Sequence, residues 1–173
     1  MGQLVIDPLI RSRHWALAGL VLVIDGLVLG QAGLSVLMLT VWLLVCPLLA
    51  IFWLVRREQA RSARWALVPL PYALALALVA LTLWGNNQLA LSRTTTVVAA
   101  LDAYHAARGV YPRHLSELCS EFLPSVPRAK FTLTGHAFIY VPTDESALLG
   151  FNSMPPFGRR LYDLRTRAWT SID

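Results

Sequence analysis

The sequence predicts an α-helical membrane anchor of three transmembrane helices, followed by a small α+β domain in which one helix packs on an antiparallel β-meander. Three observations carry this. Hydrophobic residues make up 56% of the 173 positions and charged residues only 14%, where a soluble domain is about a quarter charged. The apolar excess is concentrated in the first half of the chain, and the second half has an ordinary globular composition, so the two halves suit two different solvents. Past residue 85 the long apolar runs give way to a helical and then an alternating periodicity.

The predicted organisation is a cytoplasmic N-terminus over 1–14, a transmembrane region over 15–84 and an outer domain over 85–173. The spans fall at 15–30, 34–55 and 65–84, with a loop at 56–64. About 20 helical residues cross a 30 Å hydrocarbon core. The second and third runs meet that length; the first is short and is expected to borrow from the turn Gly30-Gln31-Ala32-Gly33. Helix is required there because lipid offers the backbone no hydrogen-bond partner. Arg11, Arg13 and His14 precede the first span, and Arg56, Arg57, Arg61 and Arg64 separate the second from the third, while the turn between the first two carries no charge. Basic loops stay on the cytoplasmic side, so the chain after Trp84 is expected outside, in the periplasm of a bacterial inner-membrane protein. Trp15, Trp53, Trp65 and Trp84 fall near the predicted interfaces. The long charged start, a second span close behind the first and the lack of a clear small-x-small site before a polar stretch argue against a cleaved signal peptide, which is not expected, and Met-Gly-Gln-Leu-Val-Ile lacks the hydroxyl residue of a myristoylation signal. Pro69 and Pro71 suit the first turns of the third span, and Pro47 is interior to the second and expected to kink it.

Asp25 is the exceptional residue of this half. Ten residues into the first span, it is expected about 15 Å deep, where a charged Asp costs about 2.5–3.5 kcal/mol. No Lys or Arg inside the spans can pair with it. Two readings stand: a contact to a basic or hydroxyl group on a partner's helix or a proton-carrying site, against a protonated acid bonded to a neighbour or a helix shifted outward.

In the outer domain Ala90, Thr94, Val97, Leu101 and Tyr104 recur at steps of three and four, an amphipathic helix resuming after Gly85-Asn86-Asn87 and capped at Gly109. Val110-Tyr111-Pro112 reads as a turn. A second short helix carries Leu115, Leu118 and Phe122 on one face and stops at Pro124. Alternation then predicts strands at 131–133, 138–140, 148–152, 161–164 and 168–172, with turns at Gly135, at Asp144-Glu145-Ser146, at 154–158 and at Arg165-Thr166-Arg167.

The net charge of +5 does not point to nucleic acid, because six of the fifteen basic residues flank apolar runs and the segment after Trp84 holds nine basic against seven acidic residues. His105, His114 and His136 match no metal-ligand spacing, Glu117, Glu121, Asp144 and Glu145 form no calcium-loop pattern, Ser92 and Ser116 lack a nucleophile signature, and no Gly-rich phosphate loop occurs. No cofactor, no metal and no enzymatic activity are expected. Arg159, Arg160, Arg165 and Arg167 form a candidate basic patch for an acidic partner or lipid headgroups. Cys46 lies in a span and Cys119 in the outer domain, so an internal disulfide is not expected; Cys119 is a candidate intermolecular thiol.

The run Leu101-Asp102-Ala103-Tyr104-His105-Ala106-Ala107-Arg108-Gly109-Val110-Tyr111-Pro112, the Leu-Pro-x-x-Pro of Leu123 to Pro127 and the aromatic-bearing strands near Tyr162-Asp163 and Trp169 resemble the globular domains of type IV pilins and type II secretion pseudopilins. The resemblance covers about residues 88–173. It implies a pilin-like fold in which Gly109, Tyr111 and Pro112 form a structural turn. Prepilins carry a Gly|Phe-Thr-Leu-x-Glu cleavage site before a single apolar helix. Here no such site precedes the first span, and Phe131-Thr132-Leu133 follows Lys130 inside a predicted strand. The resemblance therefore implies a tethered domain that contacts membrane or periplasmic proteins, as an accessory of a secretion or pilus-type system, with a homo-oligomer left open. The alternatives are a sensor or ligand-binding module and a small transport subunit using Asp25.

Overall fold

The computed structural model describes residues 8–143, 146–154 and 157–172. The chain divides into two compact units, the first ending at Thr82 and the second beginning at Leu83.

In the first unit α1 (Pro8–Leu22) passes into a seven-residue π-helical segment, Val23–Leu29. Gly30, in the left-handed conformation at φ 62°, ends it. Helix α2 spans Gly33–Val55 with Pro47 inside it, α3 spans Gln59–Leu67, and α4 runs from Pro69 to Arg108. Ser12–Leu29, α2 and α4 are each long and apolar enough to cross a membrane, by length and composition. Two expectations change here. The first helical stretch starts at Pro8 and has no need of the glycine turn. The segment expected as an Arg-rich loop is largely helical: α3 follows Arg57, which reverses the chain at φ 61°. Pro69 opens α4, where proline's missing N–H has no intrahelical partner to lose.

Helix α4 does not break at Gly85-Asn86-Asn87, where a fresh start was expected. One Gly and two Asn cost a helix interior about 2 kcal/mol together, too little to interrupt forty cooperative residues, and Asn86 is held from outside: its Oδ1 accepts the Phe131 amide at 3.0 Å.

The second unit packs the last part of α4 against a four-stranded antiparallel sheet of order β1-β2-β3-β4, with β1 Ile139–Pro142, β2 Ala147–Met154, β3 Phe157–Asp163 and β4 Ala168–Ile172. This is an α+β layout. The helical stripe Ala90, Thr94, Val97, Leu101 and Tyr104 is buried throughout, as its spacing predicts. Val97, Leu101 and Tyr104 form one core with Leu118, Leu123, Ala147, Leu149 and Leu164, flanked by Tyr140 and Tyr162. Pairing fixes the faces: Tyr140, Leu149, Tyr162 and Trp169 lie in one row across the sheet, and side chains alternate along each strand. Phe151 and Arg160 therefore share the helix side, while Ile139, Val141, Leu148, Leu161 and Ile172 share the outer side. Gly150 is the outer-face position where no side chain fits, because a Cβ there would run into the Arg160 carbonyl and the Leu161 side chain.

Two predicted elements are replaced. The second helix is only a 3₁₀ turn, Leu115–Leu118. Leu118 and Leu123 are both buried, which one helix face cannot arrange at a spacing of five. Ser120 takes φ 79°, and the Leu118 carbonyl accepts both the Phe122 and Leu123 amides, at 3.1 and 2.9 Å. The strand expected at 131–133 is irregular chain. Its alternation is real but inverted: Lys130 and Thr132 are buried at 1% and 3% exposure, while Phe131 and Leu133 are 73% and 66% exposed.

Candidate functional site

Two polar clusters tie the first unit together. Asp25 sits in the π-helical segment, fully buried. Its Oδ2 accepts the Ser35 amide at 2.6 Å and its Oδ1 the Leu34 amide at 3.4 Å. These are the second and third residues of α2, whose first four amides lack intrahelical partners. Ala32 stands at the N-cap and has no side-chain cap, so a carboxyl group from the preceding helix supplies the oxygens that Ser or Asp would normally provide locally. The Asp25 carbonyl also accepts the amides of Gly30 and Gln31, the latter at 3.0 Å. Asp25 thus lies about one turn before the end of the first helical stretch, where its carbonyl and its carboxyl both meet the turn that follows. The Ser35 hydroxyl is buried without a hydrogen-bond partner among the described residues.

The second cluster joins three helices. His14 Nδ1 of α1 lies 3.0 Å from the Tyr72 hydroxyl of α4. The Trp42 ring of α2 stacks on Tyr72 at 5.8 Å and meets His14 edge-on at 5.0 Å. Ala18 and Ala75 pack against them with Leu22, Met38, Leu39 and Val68. Buried Cys46 lies one turn beyond Trp42. In the sequence His14 reads only as a flanking charge; the signal for the cluster is the Tyr72 phenol inside an otherwise apolar run, since a buried Tyr hydroxyl needs a partner.

In the second unit Gly109 adopts φ 75°, and its amide closes on the His105 carbonyl at 2.7 Å. The Tyr111 ring stacks on His105 at 4.4 Å. Burial and nearby Asp102 push the Tyr111 hydroxyl up from its ordinary pKa. Pro112 is buried, and its carbonyl accepts the Tyr140 hydroxyl at 2.8 Å. The turn residues therefore pin the end of α4 to β1. Gly109→Ala should destabilise this unit by about 1 kcal/mol, because a Cβ is costly in the left-handed region. Tyr140→Phe should cost a similar amount, roughly 1 kcal/mol, for the lost hydrogen bond to Pro112. Thermal unfolding of both variants against the parent checks each; an unchanged midpoint for Gly109→Ala would contradict the strained turn.

The four arginines of the candidate patch do not gather. Arg159 and Arg160 are adjacent on β3 and point to opposite faces, Arg160 lying 5.5 Å from the Trp169 ring. Arg167, at φ 57°, grips Asp102 with two hydrogen bonds of 2.8 and 3.1 Å. The Arg165 amide donates to Asp163 Oδ1 at 2.8 Å, the main reason that carboxyl is held below its usual range. Cys119 is a half-buried free thiol and Cys46 a buried one. His105, His114 and His136 are engaged separately: on Tyr111, at the start of the 3₁₀ turn, and 3.0 Å from the Leu133 carbonyl. Glu117 and Glu121 belong to a chain in which Tyr104 donates to Glu117 at 3.1 Å while Arg108 donates to Tyr104 at 3.2 Å and to Glu121 at 2.7 Å. Asp144 and Glu145 lie outside the described residues. No group of three or more His, Cys, Asp or Glu that could hold a metal ion occurs among the described residues.

Lys130 is the one lysine of the chain and is buried against Phe151, its Nζ donating to the Ser153 carbonyl at 3.3 Å. No protein-family model, curated protein or solved structure matches this chain.

Proposed function

We propose that this is a non-enzymatic inner-membrane protein whose three apolar helical stretches tether a pilin-like domain on the periplasmic side, where the domain contacts other membrane or periplasmic proteins of a secretion or pilus-type system. The observation that carries the contact reading is the outer face of the sheet. Val141 and Ile172 are 45% and 50% exposed there, and Ile139, Leu148 and Leu161 are only partly covered. Both β1 and β4 are edge strands, and an exposed edge beside an apolar face is a common docking surface for another chain. The orientation rests on the arginines at 56–64 and before the first span.

Photo-crosslinkers at positions 141 and 172 in native membranes test the contact: each should capture a protein, and the double variant Val141→Glu, Ile172→Glu should abolish co-purification with the captured species while leaving the domain folded. Recovery of lipid and the chain alone would sink the reading. A reporter fused after Asp173 should be active only outside the cytoplasm, and cytosolic activity would overturn the orientation.

A further inference from the structure

We propose that residues 128–136 form a membrane-seated foot: Phe131 and Leu133 enter the lipid surface where α4 leaves it, and Arg93 and Arg128 face the lipid phosphates. The inference rests on the reading that the apolar run of α4 ending at Trp84 crosses the bilayer, and it goes beyond it by assigning a lipid-binding surface to the second unit.

Position is the first argument. The backbone of this loop is tied to α4 just past the apolar run. The Phe131 amide donates to Asn86 Oδ1 at 3.0 Å, Arg93 Nη1 donates to the Arg128 carbonyl at 2.6 Å, and the Arg93 guanidinium lies 5.1 Å from the Phe131 ring centroid. At 1.5 Å per residue, Asn86 is about 3 Å and Arg93 about 14 Å along the helix beyond Trp84. A headgroup layer is roughly 5–8 Å thick, so the attachment at Asn86 falls within it, and although the Arg93 backbone lies beyond it, the Arg93 guanidinium is drawn back towards it, over the Phe131 ring.

The inverted burial is the second argument. In water, Phe131 and Leu133 would each forgo roughly 1.5–3 kcal/mol by staying out of the core, while their neighbours Lys130 and Thr132 occupy buried positions. That choice is costly against water and favourable against the headgroup and acyl boundary, where aromatic and aliphatic side chains partition. The fold holds the loop in this form: the Ala129 amide donates to the His136 carbonyl at 2.6 Å and the Thr132 hydroxyl to the Thr134 carbonyl at 2.8 Å.

Charge is the third. No Asp or Glu occurs from residue 59 to 101 or from 122 to 143. The basic residues of those stretches at the surface of the foot, Arg93 and Arg128, thus face no acid of either segment, and a surface of this sign is complementary to anionic headgroups. A basic, apolar-tipped loop beside a span fits lipid phosphate with acyl chain beneath it better than it fits an acidic protein.

The test uses the full chain, with Cys46→Ala and Cys119→Ser, reconstituted in vesicles of phosphatidylcholine with a minority of phosphatidylglycerol. An environment-sensitive dye is attached to a cysteine at position 133, 84 or 166, and lipid-borne nitroxide quenches it. Quenching at 133 should approach that at 84 and exceed that at 166 by roughly three-fold, and Arg93→Gln with Arg128→Gln should reduce it by about half. Quenching at 84 with none at 133 overturns the foot and leaves the spanning helix standing. Absence of quenching at both overturns both. A label at 133 that is water-exposed in these vesicles but protected in native membranes overturns the lipid assignment in favour of a protein contact.

Discussion

Replacing Asp25 with alanine is expected to destabilise the helical unit by about 3–4 kcal/mol, whereas Asp25→Asn should cost no more than about 1–2 kcal/mol. The two amides that Asp25 accepts belong to the start of α2, and Ala32 offers them nothing. Alanine at 25 would strand both donors in a fully buried place, each at roughly 1–3 kcal/mol. In the proposed membrane setting water cannot step in. Asparagine keeps one acceptor oxygen, which can take the short Ser35 bond, and leaves only the longer Leu34 bond unmade. The pair of variants therefore separates two roles. A structural cap predicts a stable, functional Asn variant and an unstable Ala variant, read by thermal unfolding in detergent. A proton-carrying residue predicts an Asn variant that folds normally and fails in function. If Asn were as unstable as Ala, the charge itself would be the essential feature and the capping account would be wrong.

The presence of Asp25 was legible in the sequence as an anomaly, but its meaning was not. Its partners are nine and ten residues on, across a turn, and a capping contact made through tertiary folding leaves no local spacing to recognise. The same contrast runs through the second unit. Ala90, Thr94, Val97, Leu101 and Tyr104 announced a buried helical stripe, and all five are buried, because helical periodicity and burial say the same thing when one face meets one core. The hairpin of β3 and β4 was legible through its alternation and its turn residues. The pattern at 130–133 failed because alternation gives a period without a sign: it cannot say which set of side chains faces inward, and here the polar set does. The break expected at Gly85-Asn86-Asn87 failed because local propensity is a weak preference beside a forty-residue helix with a tertiary contact at Asn86. The cluster of His14, Trp42 and Tyr72 draws one residue from each of three helices, and the arginines near the C-terminus separate because adjacent strand positions face opposite ways; neither follows from nearness in sequence.

The stability of the second unit should rise by about 2 kcal/mol between pH 8 and pH 10, and Lys130→Met should abolish that rise. Burial lowers the Lys130 pKa from 10.5 to about 8, and its ammonium has the Ser153 carbonyl at 3.3 Å and the Phe151 ring at 5.7 Å beside it. Below pH 8 the folded state carries a charged amine in a buried position, a penalty present in full. Between about 8 and 10.5 the folded lysine has lost its proton while the unfolded one keeps it, so the unfolded state binds more protons and stability climbs with pH. Tyr140 works the other way: burial, reinforced by nearby Glu117, pushes its hydroxyl up to about 12, so the unfolded tyrosine ionises first and stability falls above pH 10. The window from pH 8 to 10 therefore isolates Lys130. Methionine has a similar length and no charge, so at pH 7 the Met variant should be the more stable by roughly 2 kcal/mol, less the hydrogen bond to Ser153. Denaturant midpoints at pH 7, 8, 9 and 10 decide the matter. Parallel pH profiles for the parent and Lys130→Met would mean that the amine is solvated in the folded protein and that the inverted burial of residues 130–133 is not held in solution.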